Sequence, residues 1–252
     1  MRYRLLDKIR TSLKKEAFSP GIISLFFNPF YFARKGLFEN INSLSRNIKG
    51  KVLDVGCGGK PYKQLFDNAS EYIGMDIKQL GHDHTNEDVD IFYDGKTFPF
   101  KKNVFDSVVS FEVLEHVFNP DEFLKEISRV LKNKGFLLIT VPFVWDEHEQ
   151  PYDFARYSSF GLNYLLKKHN FDLIKHRKSM NDIRIIFQLI NDYIYKKICG
   201  KFFYKNLYLR LIANLILMSP FNILGSTLAK ILPRNNDLYL DNIILARKTN
   251  NV

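Results

Sequence analysis

The chain has 252 residues, 46% of them hydrophobic and 25% charged, which excludes a disordered protein and leaves room for one full core with appendages. Its net charge of +10 is unevenly spread: residues 1–50 carry 10 basic and 3 acidic side chains, residues 51–160 carry 12 and 19, and residues 161–252 carry 15 and 5. An acidic middle between basic, aromatic ends argues against a nucleic-acid binder and fits an anionic membrane surface or anionic substrate, although solvated lysine-rich faces give the same balance.

In chain order, Leu5, Leu6, Ile9 and Leu13 recur at helical spacing among basic residues, and residues 1–50 read as a basic, mostly helical arm. The apolar run from Ile22 to Phe27 is too short for a cleavable signal. Lys51–Val55 then reads as a buried strand entering a glycine-rich turn, Pro61–Asn68 as a helix, Tyr72–Met75 as a second strand and Val89–Phe92 as a third. Phe105–Phe111 is a fourth strand. Asn119 before Pro120, with Glu122 three residues past it, announces a capped helix that runs to Gly135. Phe136–Val141 is a fifth strand, Ser159–Lys168 a helix and Phe171–His176 a sixth strand. Two or three apolar helices fill 183–232, and Leu238–Ala246 reads as the final strand. The fold class is therefore α/β: a Rossmann-like, seven-stranded, mostly parallel sheet with helices on both faces. The expected organisation is the arm at 1–50, a core at 51–182, a helical cap insert at 183–232 and a closing strand and tail at 233–252.

The stretch Val52–Tyr62, VLDVGCGGKPY, carries the strongest chemical signal. A turn rich in glycine lets a ligand approach the backbone closely, and the peptide N–H groups that follow favour a carboxylate or phosphate. Asp76 stands 22 residues beyond Asp54 at the end of the next strand, where a carboxylate can accept from ribose hydroxyls. A glycine turn alone would serve a nucleotide or nicotinamide binder equally well. With Asp76, with DGKTFPF beginning at Asp94, with FDSVVSFEVLEHV (105–117) and with RVLKNKGFLLITVP (129–142), the chain resembles the class I S-adenosylmethionine-dependent methyltransferases over roughly residues 50–180 and the last strand. The resemblance implies S-adenosylmethionine as cofactor. Gly56 and Gly58 would lie at its methionine end, Asp54 would order the loop, Asp76 would take the ribose and Asp94 the adenine. Cys57, Ile77, Gly95, Phe111 and Glu112 complete the implied cofactor set.

The acceptor is expected outside the carboxyl ends of the strands, where the loop FVWDEHEQPYDFARYSS begins at Phe143. Transfer to oxygen benefits from a base, for which His148 is the first candidate and His116 the second. Trp145, Tyr152, Asp153, Arg156 and Tyr157 are candidate acceptor-binding residues; an Asp–Arg pair that merely packs the loop is the alternative. The same stretch resembles a subgroup of these enzymes associated with surface-polysaccharide and glycoconjugate assembly. That resemblance implies O-methylation of a sugar on a glycan or lipid-linked saccharide. A prenylated quinone acceptor and a non-catalytic cofactor-binding regulator are the competing readings. His82 and His84 lie among acids, but a solvated loop is preferred there and no metal is expected. Cys57 and Cys199 have no disulfide or zinc spacing, which suits a cytoplasmic setting. Leu211–Ala229 is free of charge over 19 residues but interrupted by Asn214, Pro220 and Asn222, and so reads as a cap dipping into a membrane interface rather than a span.

Overall fold

The computed structural model describes residues 16–78, 88–199 and 207–249. The helical pattern around Leu5–Leu13 and the His82/His84 pair lie outside these residues. The described chain forms two compact units, one from residues within Met1–Glu39 and Lys178–Leu240, the other from Asn40–Arg177 and Asp241–Val252.

The second unit is built on β1 (Gly50–Val55), β2 (Ala69–Ile77), β3 (Ile91–Tyr93), β4 (Phe105–Phe111), β5 (Leu131–Pro142), β6 (Phe171–Lys178) and β7 (Asp241–Lys248). They form one seven-stranded sheet in the order β3-β2-β1-β4-β5-β7-β6. β1 pairs in parallel with β2 and with β4, and β5 continues in parallel from β4. β7 runs antiparallel to β5, from Phe136 opposite Arg247 to Pro142 opposite Asp241. The apolar strands Leu53, Val55, Val108, Leu137 and Ile139 are fully buried, as expected of a sheet covered on both faces. Strand order reverses at β1 and β4, so their carboxyl ends open the crevice where ligands of such sheets bind.

Two helices of this unit follow their sequence signals. In α3 (Pro120–Val130), numbered after two earlier helices described below, the Asn119 side chain accepts from Glu122 N, and Phe123, Leu124, Ile127 and Val130 are buried. In α4 (Ser159–Lys168) the Ser158 hydroxyl accepts from Gly161 N. Two expectations fail locally. The helix expected at Pro61–Asn68 is only a single 3-10 turn, Lys63–Leu65. Tertiary packing dictates this: the Tyr62 and Phe66 rings both turn onto Phe111, at centroid distances of 5.3 and 6.1 Å. The capped helix stops at Val130 rather than Gly135, because Leu131 is already extended and Lys134 takes a φ of 62°.

The first unit is helical: α1 (Ser24–Phe27), α2 (Tyr31–Ser45, whose last turns belong to the sheet unit), α5 (Arg184–Tyr193), a π-helical turn (Ile194–Cys199), α6 (Leu207–Leu217) and α7 (Ser219–Leu228). Its interior is held by amides. Gln188, fully buried, accepts from Phe32 N and Ala33 N and donates to the Pro29 carbonyl. Asn222, also fully buried, donates to the Leu25 carbonyl and accepts from Asn191. Asn214 donates to the Phe27 carbonyl.

Candidate functional site

A cavity of about 670 Å³ opens at the carboxyl ends of β1, β2 and β4. Its floor is the turn after β1. Gly56 has a φ of +73°, and a Cβ there would come within 2.4 Å of Val113 Cγ2, so both its backbone conformation and its space require glycine. Gly56 N and Cys57 N both donate to the Met75 carbonyl, at 2.8 and 3.2 Å, which ties the turn to β2. Gly58 differs: a Cβ there would meet nothing within 4 Å, because the residue borders the open cavity.

Asp76 closes the side wall. Its Oδ2 accepts from Gly58 N at 2.8 Å and its Oδ1 from Ile77 N at 2.8 Å, which fixes the carboxylate at the cavity edge. Asp94 Oδ1 accepts from Lys96 N and Thr97 N, an Asx turn that holds the loop after β3; these backbone bonds keep its carboxyl below the ordinary range. Asp54, by contrast, is buried behind the turn and receives the Tyr72 hydroxyl at 2.7 Å. Burial pushes its pKa up to about 7, against that hydrogen bond.

The opposite wall comes from the end of β4 and the 143–157 loop. Glu112 sits at a φ of 55°, a sparsely populated conformation for a non-glycine residue, with its N–H bonded to the carbonyl and hydroxyl oxygens of Thr140. Just beyond it, Leu114–His116 form a 3-10 turn. The Glu115 carbonyl accepts from Phe154 N and Ala155 N, pinning the loop against that turn. As a result His116 and His148, 32 residues apart, meet with their Nε2 atoms 3.1 Å from each other.

Asp153 organises the loop. Its oxygens take both terminal nitrogens of Arg156 and the His148 N–H, and Oδ2 lies 3.2 Å from His148 Nδ1. Burial alone would raise the Asp153 pKa, but the Arg156 bonds and the His148 N–H hold it near 2. Burial, and then the neighbouring Glu112 charge, push the Glu115 carboxyl well above the ordinary range.

Of the residues singled out from sequence, Gly56, Gly58, Asp76, Ile77, Asp94, Gly95, Glu112, His116 and Tyr152 line this cavity together. Asp54, Cys57 and Phe111 stand behind its wall: Cys57 is buried, and Phe111 packs on Tyr62 and Phe66. Asp153 and Arg156 spend their hydrogen bonds on each other and on the loop, the packing alternative considered for them, and His148 reaches the cavity only through His116. Tyr157 and Trp145 are half-buried, and the Tyr157 carbonyl accepts from Asn242 on β7. Sequence reasoning missed Tyr93, Phe118 and Phe154, aromatic residues that line the cavity. Phe118 and Phe154 meet edge to face at 5.3 Å, and the readable signal was an aromatic immediately before the Asn119 cap. Among the described residues, Glu115, His116 and His148 also gather potential ligand atoms within 4.8 Å, a cluster the sequence reading, which weighed only His82 and His84, did not foresee.

Residues 53–139 match a family model described as a methyltransferase domain. The chain is 38% identical over 127 residues to an uncharacterized protein of Methanocaldococcus jannaschii, a match covering 48% of this chain and 54% of that one. It is 29% identical over 158 residues to a ubiquinone biosynthesis O-methyltransferase of Pelagibacter ubique, covering 56% and 62%. The chain thus spans roughly half to three-fifths of these two relatives. A solved phosphoethanolamine N-methyltransferase 2 of Haemonchus contortus in complex with S-adenosylmethionine shares the fold, with a TM-score of 0.54 at 19% identity over 94% of this chain and 57% of that one. A cofactor of that kind fits the cavity seen here. The open space at Gly58 admits a ligand against the backbone, Asp76 presents a fixed carboxylate, and the Asp94–Gly95 turn closes the far end.

Proposed function

We propose that this chain is a class I S-adenosylmethionine-dependent methyltransferase, a reading its match to a methyltransferase-domain model supports, and that it transfers the cofactor's methyl group to a hydroxyl of an acceptor that enters beside His116. When bound, S-adenosylmethionine supplies an electrophilic methyl carbon on a positively charged sulfur. The chain's own residues do the rest. Asp76 and the Asp94 turn orient the cofactor, Glu112 and Val113 close the wall beside it, and His116 with His148 stands where a hydroxyl must lose its proton. The observation that carries this reading is that the cofactor cradle and His116, whose Nε2 meets that of His148, share one cavity. Aromatic walls at Tyr93, Phe118 and Phe154 suit a ring-shaped acceptor, and a sugar of a surface glycan or lipid-linked saccharide is our preferred one. Incubation with methyl-labelled S-adenosylmethionine and cell extracts should label a glycan or glycolipid fraction; label only in small soluble metabolites overturns the acceptor. A prenylated quinone is the second reading, favoured by the name of the Pelagibacter ubique relative, and labelled quinone in the lipid extract would select it. Asp76→Ala should abolish both cofactor binding and labelling. Labelling that survives it contradicts the assigned cofactor site, whereas no labelling of any fraction by the native chain favours the regulator reading.

We also propose that the helical unit meets an anionic bilayer. Tyr208–Leu228 has a mean hydropathy of 1.5 with 33% buried, and Leu209, Ile212, Ile216, Ile223 and Leu224 are exposed along it. Lys196, Lys197, Lys230 and Arg234 flank this apolar stretch in sequence. Sedimentation with vesicles containing anionic lipid should carry the chain down, and a chain that stays in the supernatant refutes this.

A further inference from the structure

Beside the cavity the Leu114–His116 turn and the 143–157 loop bring nitrogen and oxygen donors face to face. His116 Nδ1 lies 2.8 Å from the Tyr152 carbonyl oxygen, which can only accept, so a neutral ring carries its proton on Nδ1 and presents a lone pair at Nε2. His148 Nδ1 faces two acceptors, the Asp146 carbonyl and Asp153 Oδ2, each at 3.2 Å, with Arg156 Nη2 farther away at 3.5 Å. Its proton belongs there too, and its Nε2 also carries a lone pair. These two Nε2 atoms stand 3.1 Å apart. Facing lone pairs at that distance repel unless a positive charge lies between them. A third donor joins them. Glu115 is 0% exposed, its Oε1 lies 3.7 Å from His116 Nε2, and neither of its carboxylate oxygens has a hydrogen-bond partner among the described residues. A buried carboxylate left in that state is costly unless a cation or a proton satisfies it.

We propose that Glu115, His116 and His148 bind one divalent transition-metal ion, which activates the acceptor's hydroxyl. Two imidazole nitrogens and one carboxylate are the donor set of zinc, iron and manganese sites that keep open positions. The 3.1 Å between nitrogens is close to the roughly 3.3 Å that separates two ligands held about 2.0 Å from a tetrahedral ion. The surroundings match as well. Each ligating ring has its remote Nδ1 proton held, His116 by a carbonyl and His148 by Asp153, which fixes tautomer and orientation. Because His116 lines the cavity, the remaining positions of the ion face the acceptor.

The role of the ion rests on the methyl-transfer reading; its binding does not. With both Nε2 lone pairs committed to the ion, the imidazoles no longer accept the proton directly; charge near the acceptor oxygen lowers the pKa of its hydroxyl, whose proton leaves to water. That oxygen then bonds to the methyl carbon as the carbon–sulfur bond breaks, and the electron pair stays on sulfur, which becomes a neutral thioether.

The full chain, stripped with a chelator, is titrated with Co²⁺ while its visible absorption is followed, and with Zn²⁺ by calorimetry. One equivalent should bind with a low-coordinate cobalt spectrum. Glu115→Gln and His148→Ala should each weaken binding at least tenfold, and Asp153→Asn by about ten- to a hundredfold through lost orientation of His148. S-adenosylmethionine binding, measured in the same samples, should persist in all three variants and shows that each one folds. Absence of saturable Co²⁺ binding, or affinity unchanged by both Glu115→Gln and His148→Ala, overturns the site. Loss of S-adenosylmethionine binding by the native chain would overturn the cofactor assignment instead, with the Co²⁺ titration still deciding the metal.

Discussion

The two units of this molecule differ in the polar groups they bury and in the apolar groups they expose. In the sheet unit, Leu53, Val108, Leu124, Leu138 and Ile139 are fully buried, and the polar groups enclosed with them include the charged side chains Asp54, Lys60, Glu115 and Lys248. In the helical unit the buried positions include Gln188, Asn191, Asn214 and Asn222, while Ile212, Ile216, Ile223 and Leu224 face outward. The sheet unit draws its stability from removing apolar surface from water. The helical unit is joined by buried amides bonded to backbone carbonyls and to each other, and the apolar side chains just named face outward. That pattern resembles helices that pack in lipid, where buried polar side chains join helices and outward apolar ones meet the surroundings.

Substitutions can break this comparison. Leu124→Ala in the sheet unit should cost about 2–5 kcal/mol in denaturant unfolding, since Leu124 is fully enclosed in the main apolar cluster. A cost below ~1 kcal/mol would show that this core is not tightly packed.

Asp54 tests the same unit through pH. Its folded pKa of about 7 stands above the ordinary 3.8, so the native state holds a proton that the unfolded chain releases between those values. Its contribution to stability is therefore fully present below 3.8 and is lost as pH rises toward about 7. Asp54→Asn keeps the group neutral at every pH and can still accept from Tyr72. The variant's Tm should fall less steeply than the native chain's across this window, reflecting a difference in stability of up to about a few kcal/mol near neutrality. Parallel Tm–pH curves would show that Asp54 does not titrate as its burial implies.

Asn222→Leu probes the helical unit. It keeps the branched shape but leaves the Leu25 carbonyl and the Asn191 amide without their partner, and the Asn28 carbonyl with Tyr31 N–H alone. The expected loss is about 1–3 kcal/mol, although the substitution adds apolar volume. A stabilised variant would mean that the amide network selects the arrangement of the helices without stabilising it.

How much of this was legible in sequence also divides by unit. Asn119-Pro120 and the glycine turn after Val55 are local codes, and the structure follows them because capping and close backbone approach involve neighbouring residues. The Pro61–Asn68 turn was misread because Tyr62 and Phe66 answer to Phe111, some 45 residues away. The meeting of His116 and His148 was equally hidden, since a loop pinned by the Glu115 carbonyl creates it. In the helical unit, Asn214 and Asn222 read as interruptions of an apolar run. Hydropathy cannot say which face of a helix turns inward, and here the interruptions are the inside.

The smallest expected effect bears most directly on that last point. Ile216 is 63% exposed on α6, so Ile216→Ser removes little buried surface and should change stability in solution by no more than about 0.5 kcal/mol. If the outward apolar face is covered only by water, nothing else should change. If it is covered by lipid, Ile216→Ser and Ile223→Ser together should weaken sedimentation with anionic vesicles several-fold while denaturant unfolding stays the same, because each lost side chain gives up transfer free energy only in the bound state. A concentration-dependent shift in mass without vesicles, abolished by the same pair, would assign the face to a second copy of the chain instead. Either result explains why this unit spends its interior on amides: with its apolar surface committed outward, directional hydrogen bonds are what remains to fix how the helices meet.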